Sequence, residues 1–327
     1  MRSEISVIIV AWNCRQVLSD CLRSILAQVK PDTSEVIVVD NASSDGTAEM
    51  VRQHFPPVKL IESHGNLGFA RGNNLGLEAA TGEYVFLINP DVVVKEGTFA
   101  RMMEYMKENP GVGMLGPKIV GRDGLVQRSC MRTPTLWNQL CRALALDSLT
   151  KKSRVFGGYL MNDFRHDTLR EVDIINGCFW LVRRTALEQV GSMDPQFWMY
   201  ADDLDWCRRY TEAGWKVVFF PEVEAIHLGG VSSDNAPVFC FVQMQQADLQ
   251  YWRKYHGLIS YACFFLILYL SHAVRSTGSA LLYMVRASSR SRMSLKFKKH
   301  FACMHWLTLR IVSPKKDLGF GLVGTTR

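Results

Sequence analysis

The chain has 327 residues, 48% hydrophobic and 21% charged, which excludes a disordered or low-complexity protein and leaves room for one large core or two small ones. Residues 1–250 carry 25 Lys+Arg against 30 Asp+Glu, whereas residues 251–327 carry 13 against one, so a mildly acidic body ends in a very basic tail. Nine cysteines scattered from Cys14 to Cys303 form no CxxC pair, which argues against a zinc ribbon or a compact disulfide framework and for buried thiols in a reducing compartment.

The N-terminal stretch MRSEISVIIVAWN is too short for a signal h-region and has no small-residue cleavage site after it, so the expected location is cytoplasmic. Ile5 to Val10 is a continuous apolar, β-branched run that predicts a buried strand. A helix follows over Val17 to Leu26, then a strand over Val36 to Val39. The alternation continues with a helix over Thr47 to Phe55, a strand over Val58 to Ile61, a helix over Phe69 to Ala80, a strand over Tyr84 to Ile88 and a helix over Phe99 to Lys107. Strands and helices at this spacing predict an α/β fold with a mostly parallel central sheet covered by helices on both faces. From Asp123 to about Val172 the pattern loosens into an expected insertion on the acceptor side. Order returns over Val172 to Val182, followed by helices over Thr185 to Val190 and Leu204 to Ala213, a C-cap at Gly214, a strand over Lys216 to Phe220 and a helix over Gln243 to Tyr255.

Leu258 to Val274 is a 17-residue run without a formal charge, at the short limit for crossing a bilayer. A second apolar run, Ala280 to Val285, precedes Arg286, Arg290, Arg292, Lys296, Lys298 and Lys299. A tilted span, a re-entrant pair or an interfacial helix all fit, with the basic cluster toward anionic headgroups on the cytoplasmic side. Nucleic acid is not an expected partner, because these basic residues lack an interleaved aromatic platform apart from Phe297, Phe301 and Trp306. Nothing in the pattern speaks to oligomeric state.

In open α/β sheets ligands sit beyond the carboxyl ends of the strands, where this sequence places Asn13, Asp40 with Asn41, and Asn89 to Asp91. Asp40 can accept the imide proton of a uracil or thymine, while Asp45 is expected to cap the next helix. Asp91 in FLINPDVVV offers a hard oxygen ligand for Mg²⁺ or Mn²⁺ shared with a diphosphate, although NPD is also an ordinary turn sequence. In FWMYADDLDWCRR, Asp202, Asp203 and Asp205 open a helix, which is more acidity than capping requires. The neighbouring aromatic residues Trp198, Tyr200 and Trp206, with Trp180 upstream, suit stacking on a sugar acceptor. His227 ends a strand before a glycine pair; a lone histidine is usually structural.

Taken in order, SVIIVAWN, VVDNASSDGT, NLGFARGNNLGL, GEYVFLINPDV and the long block from NGCFWLVRR to EAIHLGG resemble family two glycosyltransferases of the GT-A fold, nearest to bacterial rhamnosyltransferases, over roughly residues 5 to 256. The resemblance implies that Asp40 reads the base, that Asp91 is the last acid of a DxD-type metal motif whose first acid is Asn89 here, and that Asp203 is the catalytic base with Asp202 before it. It also implies that His227 completes the coordination of a divalent metal, and that Asn66, Gly68, Arg71 and Asn74 lie beside the nucleotide sugar. The implied domains are a catalytic unit over residues 1–242, with a donor half at 1–120 and an acceptor half at 121–242, and a membrane-associated helical region over 243–327. The implied activity is inverting transfer, first of all of L-rhamnose from dTDP-rhamnose, to a polyprenyl-linked saccharide at the cytoplasmic face of the membrane. A UDP-sugar donor, a nucleotidyl transferase and a catalytically dead nucleotide-sugar scaffold are the alternatives. The nucleotidyl transferase is disfavoured because no glycine-rich phosphate loop with a nearby lysine is present.

Overall fold

A computed structural model describes residues 3–149, 153–229, 236–285 and 290–312. The first half is β1 (Ile5–Ala11), α1 (Arg15–Leu26), β2 (Ser34–Asp40), α2 (Thr47–His54), β3 (Lys59–Glu62), α3 (Gly68–Ala79), β4 (Tyr84–Ile88), β5 (Val92–Val94), α4 (Thr98–Glu108) and β6 (Val112–Val120). After it come β7 (Val126–Gln127), β8 (Cys130–Met131), α5 (Leu136–Ala143), α6 (Leu146–Leu149), β9 (Arg170–Glu171), β10 (Ile174–Ile175), β11 (Phe179–Arg183), α7 (Arg184–Val190), α8 (Asp202–Glu212) and β12 (Lys216–His227). Three helices close the chain: α9 (Pro237–Tyr255), α10 (Leu258–Val285) and α11 (Arg290–Val312).

The main sheet runs β3-β2-β1-β4-β11-β6-β12-β5. Its β3-β2-β1-β4 half is parallel throughout, β6 and β12 are parallel, and β11 lies antiparallel between β4 and β6. Alternate side chains of β1 serve two cores. Val7 and Ile9 pack with α1, α2 and α4, whereas Ile8 packs with α3 and the later helices, which is why the strand reads as an unbroken apolar run. On the second face α3 sits hard against β1: a Cβ on Gly76 would lie 2.3 Å from Ile8 Cγ2, and one on Gly72 2.7 Å from Val10 Cγ1. Only glycine at these positions lets the helix approach so closely.

Where the sequence pattern weakens, the fold departs from it. The nine-residue strand β6 contains Gly113, Gly116 and Pro117, which mask its apolar alternation, yet it lies in the middle of the sheet. The segment Val172 to Val182 splits into β10 and β11 around Gly177, and β12 continues past Phe220 through a register shift before Glu224. Within the expected insertion, Thr135 and Asn138 form a capping box that starts α5. Gly214 follows α8 at φ +86°, as expected of a helix end. Asp45 accepts from the N–H groups of Thr47 and Arg15, so one carboxylate secures the starts of both α2 and α1.

Among the described residues one helix, α10, is long and apolar enough to cross a membrane by length and composition. Its buried side is apolar at Phe264 and Leu268 and polar at Ser271, His272, Ser276 and Ser279, whereas Leu266, Leu270, Val274 and Leu281 face out. An apolar outer stripe is what a lipid-facing helix needs. The antiparallel partner α11 carries Arg290, Arg292, Lys296 and Lys298 exposed, while Arg286 lies outside the described residues.

Candidate functional site

The strand ends bring the expected polar residues to one edge of the sheet. Asp40, the last residue of β2, is 3% exposed; its Oδ2 accepts from Ser43 N at 3.1 Å, while Oδ1 is buried without a partner. A buried carboxylate oxygen left unpaired is costly, so this atom is set to receive a donor from a ligand.

Antiparallel pairing of β5 with β12 places His227 opposite Val92, next to Asp91. His227 Nε2 lies 3.4 Å from Asp91 Oδ1, and Asp91 Oδ2 accepts from Gly229 N at 3.1 Å. On the far side of the ring, Nδ1 is 2.9 Å from Gln127 Oε1, and Gln127 Nε2 donates to the His227 carbonyl at 2.8 Å, which fixes the amide's orientation. An amide oxygen only accepts, so Nδ1 carries a proton, and Nε2 faces a carboxylate. A divalent cation between the neutral ring and that carboxylate would satisfy both, as would a second ring proton. Asp91 and His227 are thus the residues that would hold a Mg²⁺- or Mn²⁺-type ion, which would supply positive charge beside a diphosphate. Gln127 stands on β7 and no motif announced it; only the β6–β7 hairpin brings it to His227. Replacing Gln127 with Leu is expected to weaken Mn²⁺ binding about tenfold or more, measured by titration calorimetry in the presence of nucleoside diphosphate.

The third component comes from α8. Tyr200 and Ala201 both adopt left-handed backbone, at φ 72° and 55°. Two consecutive non-glycine residues in that region store strain of about 1–2 kcal/mol each, a device found where a turn must aim functional groups. This turn sorts the three acids that follow. Asp203 is partly exposed and accepts from Leu204 N at 2.9 Å. Burial pushes its carboxyl up to about 6 against that hydrogen bond, with the charge of Asp248 adding to the rise. Asp202 is 6% exposed, and burial together with Asp203 raises it well above the carboxylate range. Asp205 is fully buried and holds Lys254 Nζ and Tyr255 Oη of α9 and Arg209 Nε of its own helix. Cys178, just before β11, accepts from Asn89 N through its carbonyl and so ties the start of that strand to the turn that carries Asp91.

The sequence profile of glycosyl transferase family 2 matches residues 6–191, more than half of the chain. The chain belongs to glycosyl transferase family 2. Among similar proteins, an N-acetylglucosaminyl-diphospho-decaprenol L-rhamnosyltransferase of Mycobacterium tuberculosis is 29% identical over 72% of this chain and 80% of its own. A low-salt glycan biosynthesis hexosyltransferase of Haloferax volcanii is 24% identical over 69% and 68%. A mannosyltransferase of Pyrobaculum calidifontis, solved with GDP-Man and Mn²⁺, superposes with a TM-score of 0.56 at 19% identity, covering 97% of this chain and 89% of its own. This protein is therefore a glycosyltransferase, and its fold is of the same GT-A type.

Other residues of the expected donor set in this family 2 transferase also hold loops together. Asn41 is buried and spends both ends of its amide on Asn66, Gly68 and Leu67. Asn66 Oδ1 also accepts from Gly68 N, and Asn13 Oδ1 accepts from Ser44 N. Asn74 grips the backbone of Met193 twice, through Nδ2 to O at 2.8 Å and Oδ1 from N at 3.0 Å. Gly68, at φ +82°, has the Trp198 carbonyl where a Cβ would stand. These residues thus tie α3 to the 193–200 loop; Arg71 is exposed with Nε 3.3 Å from the Pro195 carbonyl, and of Asn89 the turn uses only the backbone.

Two of the expected acceptor-stacking residues are corrected outright. Trp180 and Trp206 have no exposed surface, pack on each other at 5.4 Å and donate to the carbonyls of Ile175 and Gly191, so neither has a free face for a sugar. Trp198 and Tyr200 remain at the surface of the loop. Asp202, the acid before the expected base, is 6% exposed with its carboxyl raised by burial and by Asp203, whereas Asp203 itself is partly exposed.

Proposed function

We propose that this transferase moves a sugar from a nucleoside diphosphate to a lipid-linked saccharide with inversion at the anomeric carbon, on the cytoplasmic side of a membrane. L-Rhamnose from dTDP-rhamnose is the first choice, because the mycobacterial relative is named for rhamnosyl transfer to a decaprenol-linked acceptor. The reading rests on one observation: Asp91 and His227, far apart in sequence, meet with Nε2 3.4 Å from Oδ1 at the strand ends, in a chain that also presents a raised, partly exposed carboxyl at Asp203.

Asp40 Oδ1 accepts the imide N–H of the pyrimidine base, which both dTDP and UDP donors offer. Asp91 and His227 hold the divalent ion, which when bound neutralises charge on the diphosphate. Asp203 takes the proton of the acceptor hydroxyl, and the oxygen attacks the anomeric carbon from the face opposite the diphosphate, so no sugar–enzyme bond forms. Residues 1–120 form the donor half and 121–242 the acceptor half of a catalytic unit. The 243–327 region rests on the membrane through the outer stripe of α10, with α9 beginning ahead of that boundary.

The test is release of nucleoside diphosphate from a panel of dTDP- and UDP-sugars in the presence of prenyl-diphosphate-linked N-acetylglucosamine, with Mg²⁺ or Mn²⁺ and with chelator. Turnover that needs both metal and acceptor is expected; donor binding without turnover across the panel would favour a nucleotide-sugar scaffold instead. Because Asp203 must be ionised to accept a proton and titrates near 6, kcat/KM is expected to hold above about pH 7 and fall about tenfold per pH unit below 6. A pH–rate profile without an acid limb there would assign the base elsewhere.

A further inference from the structure

Helix α10 is divided lengthwise between two faces. At about 100° per residue, Ile259, Cys263, Leu266, Leu270, Val274 and Leu281 fall within a sector of roughly 80°, and all six are exposed. The stripe they form is about 33 Å long at 1.5 Å per residue. Thr277, in the same sector, spends its hydroxyl on the Ala273 carbonyl at 3.0 Å and so leaves the stripe without a free donor. The opposite sector is held by the rest of the fold. Phe264 stacks on Trp252 of α9 with ring centroids 4.5 Å apart, His272 Nε2 lies 3.2 Å from Gln245 Oε1, also on α9, and Arg275 Nη2 donates to the Arg142 carbonyl of α5 at 2.8 Å. The α9 helix is in turn fixed to α8 by Lys254 and Tyr255 on Asp205. On its flank α11 joins through His300, whose Nδ1 is 3.0 Å from that of His272, and through Thr308, whose hydroxyl donates to Tyr269 Oη at 3.4 Å.

These contacts decide how the helix can meet a bilayer. The globular body packs against residues 264–275, so lipid cannot surround that stretch. Beyond it, residues 276–285 extend for about 15 Å, half of the roughly 30 Å hydrocarbon core, and residues 258–263 are shorter still. Neither piece can cross. A helix with one apolar face free along its whole length and the other occupied by protein is suited to lying flat.

The α11 helix supplies the charge. No acidic residue stands between Asp248 and Asp317 in the sequence. Arg290, Arg292, Lys296 and Lys298 are exposed, with Leu295 and Phe301 exposed among and beyond them. The Arg290 guanidinium lies 5.9 Å over the ring of Tyr283, which joins the basic start of α11 to the exposed apolar end of α10 from Leu281 to Val285. Apolar side chains at acyl depth, with long cationic side chains reaching up from the same edge, match an anionic headgroup layer. A second copy of the chain is a poorer occupant, because pairing through this face would bring two basic helices to one interface.

We infer that α10 and α11 form an in-plane membrane anchor: α10 lies parallel to an anionic bilayer surface with its outer stripe among the acyl chains, α11 sets its basic residues on the headgroups, and neither helix crosses. The inference deepens the proposed membrane placement of the transferase and rests on it, adding the orientation of the anchor and the class of lipid it requires.

The test places a nitroxide at the exposed native Cys263 and, in a Cys263→Ala background, at Ile259→Cys, Leu266→Cys, Val274→Cys and Leu281→Cys. The full chain is bound to phosphatidylcholine vesicles containing phosphatidylglycerol, and immersion is read from collisions with oxygen and with a water-soluble nickel complex. All five positions are expected at one depth, about 5–10 Å into the headgroup and acyl boundary. A depth that changes steadily along the helix through the bilayer centre overturns the in-plane orientation and leaves membrane attachment standing, whereas a chain that binds no vesicle overturns attachment as well. Vesicle sedimentation then compares wild type with the combined Arg290→Gln, Arg292→Gln, Lys296→Gln and Lys298→Gln variant. Affinity for the anionic vesicles is expected to fall about a hundredfold or more, at a few-fold per cation, while weak binding to pure phosphatidylcholine and the thermal melt stay unchanged. Equal wild-type affinity for both vesicle types overturns the requirement for anionic lipid. Labels shielded without vesicles, in a chain that sediments as a dimer, overturn the inference in favour of a second copy. Neither arm reads turnover, so failure of the transfer reaction would appear separately, as absent nucleoside diphosphate release from every donor.

Discussion

Asp203→Asn is expected to lower kcat by about 10³-fold, within the usual range for loss of a general base, and to leave the affinity for the nucleoside diphosphate donor unchanged. The same substitution is expected to stabilise the protein at neutral pH. Burial raises the Asp203 carboxyl from 3.8 to about 6, so between those values the folded state binds more protons than the unfolded one. Stability therefore falls as pH rises through that window, and the cost is fully present at pH 7. Removing the charge recovers it, by about 1–2 kcal/mol once partial solvent screening is allowed for. Thermal melts of the two proteins should accordingly differ at pH 7 and converge toward pH 4. A catalytic carboxylate held against its own solvation is a common form of the trade between stability and activity.

Asp205→Asn, two residues along the same helix, is expected to do the reverse. Its carboxylate binds Lys254 at 2.5 Å, Tyr255 at 2.7 Å and Arg209 at 2.9 Å with almost no solvent contact. Breaking such a buried group typically costs 3–5 kcal/mol. The lower end applies here, because Lys254 retains Asp194 and Arg209 retains the carbonyls of Val190 and Ser192. A loss of about 3 kcal/mol, or roughly 5–10 °C in Tm, should be visible in a thermal melt. The fraction that remains folded should keep its kcat, because Asp205 is buried in the α8–α9 junction on Lys254, Tyr255 and Arg209. Equal kcat losses in the Asp203 and Asp205 variants would mean that the segment acts as one structural unit and not as a base beside a brace.

These two residues also mark what a sequence can and cannot disclose. That Asp202, Asp203 and Asp205 open a helix is legible from their spacing and from Gly214 at its end. Which acid is free is decided by the left-handed pair Tyr200–Ala201, and nothing in the residue types reveals that conformation. Strands β1, β2 and β4 were readable because they are largely buried on both faces and therefore run apolar. Strand β6 was not, because Gly116 and Pro117 interrupt it while its neighbours β11 and β12 still pair with it. Asp91 and His227, separated by more than a hundred residues, were linked only by resemblance until the β5–β12 pairing brought them together. Gln127 and Asp248 carry no motif at all. Asn41 stood out by its place at a strand end, and Asn66 and Asn74 by resemblance; that their amides also hold the surrounding loops is visible only in the folded chain. Trp180 and Trp206 were misread. Aromatic residues next to acids suggest a sugar platform, yet the largest side chains of a segment are also the ones most able to fill a core.

The most direct test of the account follows the transfer product of wild-type protein by NMR, with an α- or β-configured donor and prenyl-diphosphate-linked N-acetylglucosamine, beside the Asp203→Asn variant under the same conditions. The account predicts a product of inverted anomeric configuration, formed only with divalent metal and reduced about 10³-fold in the variant. A product of retained configuration, or one formed equally well without the Asp203 carboxylate, would contradict it.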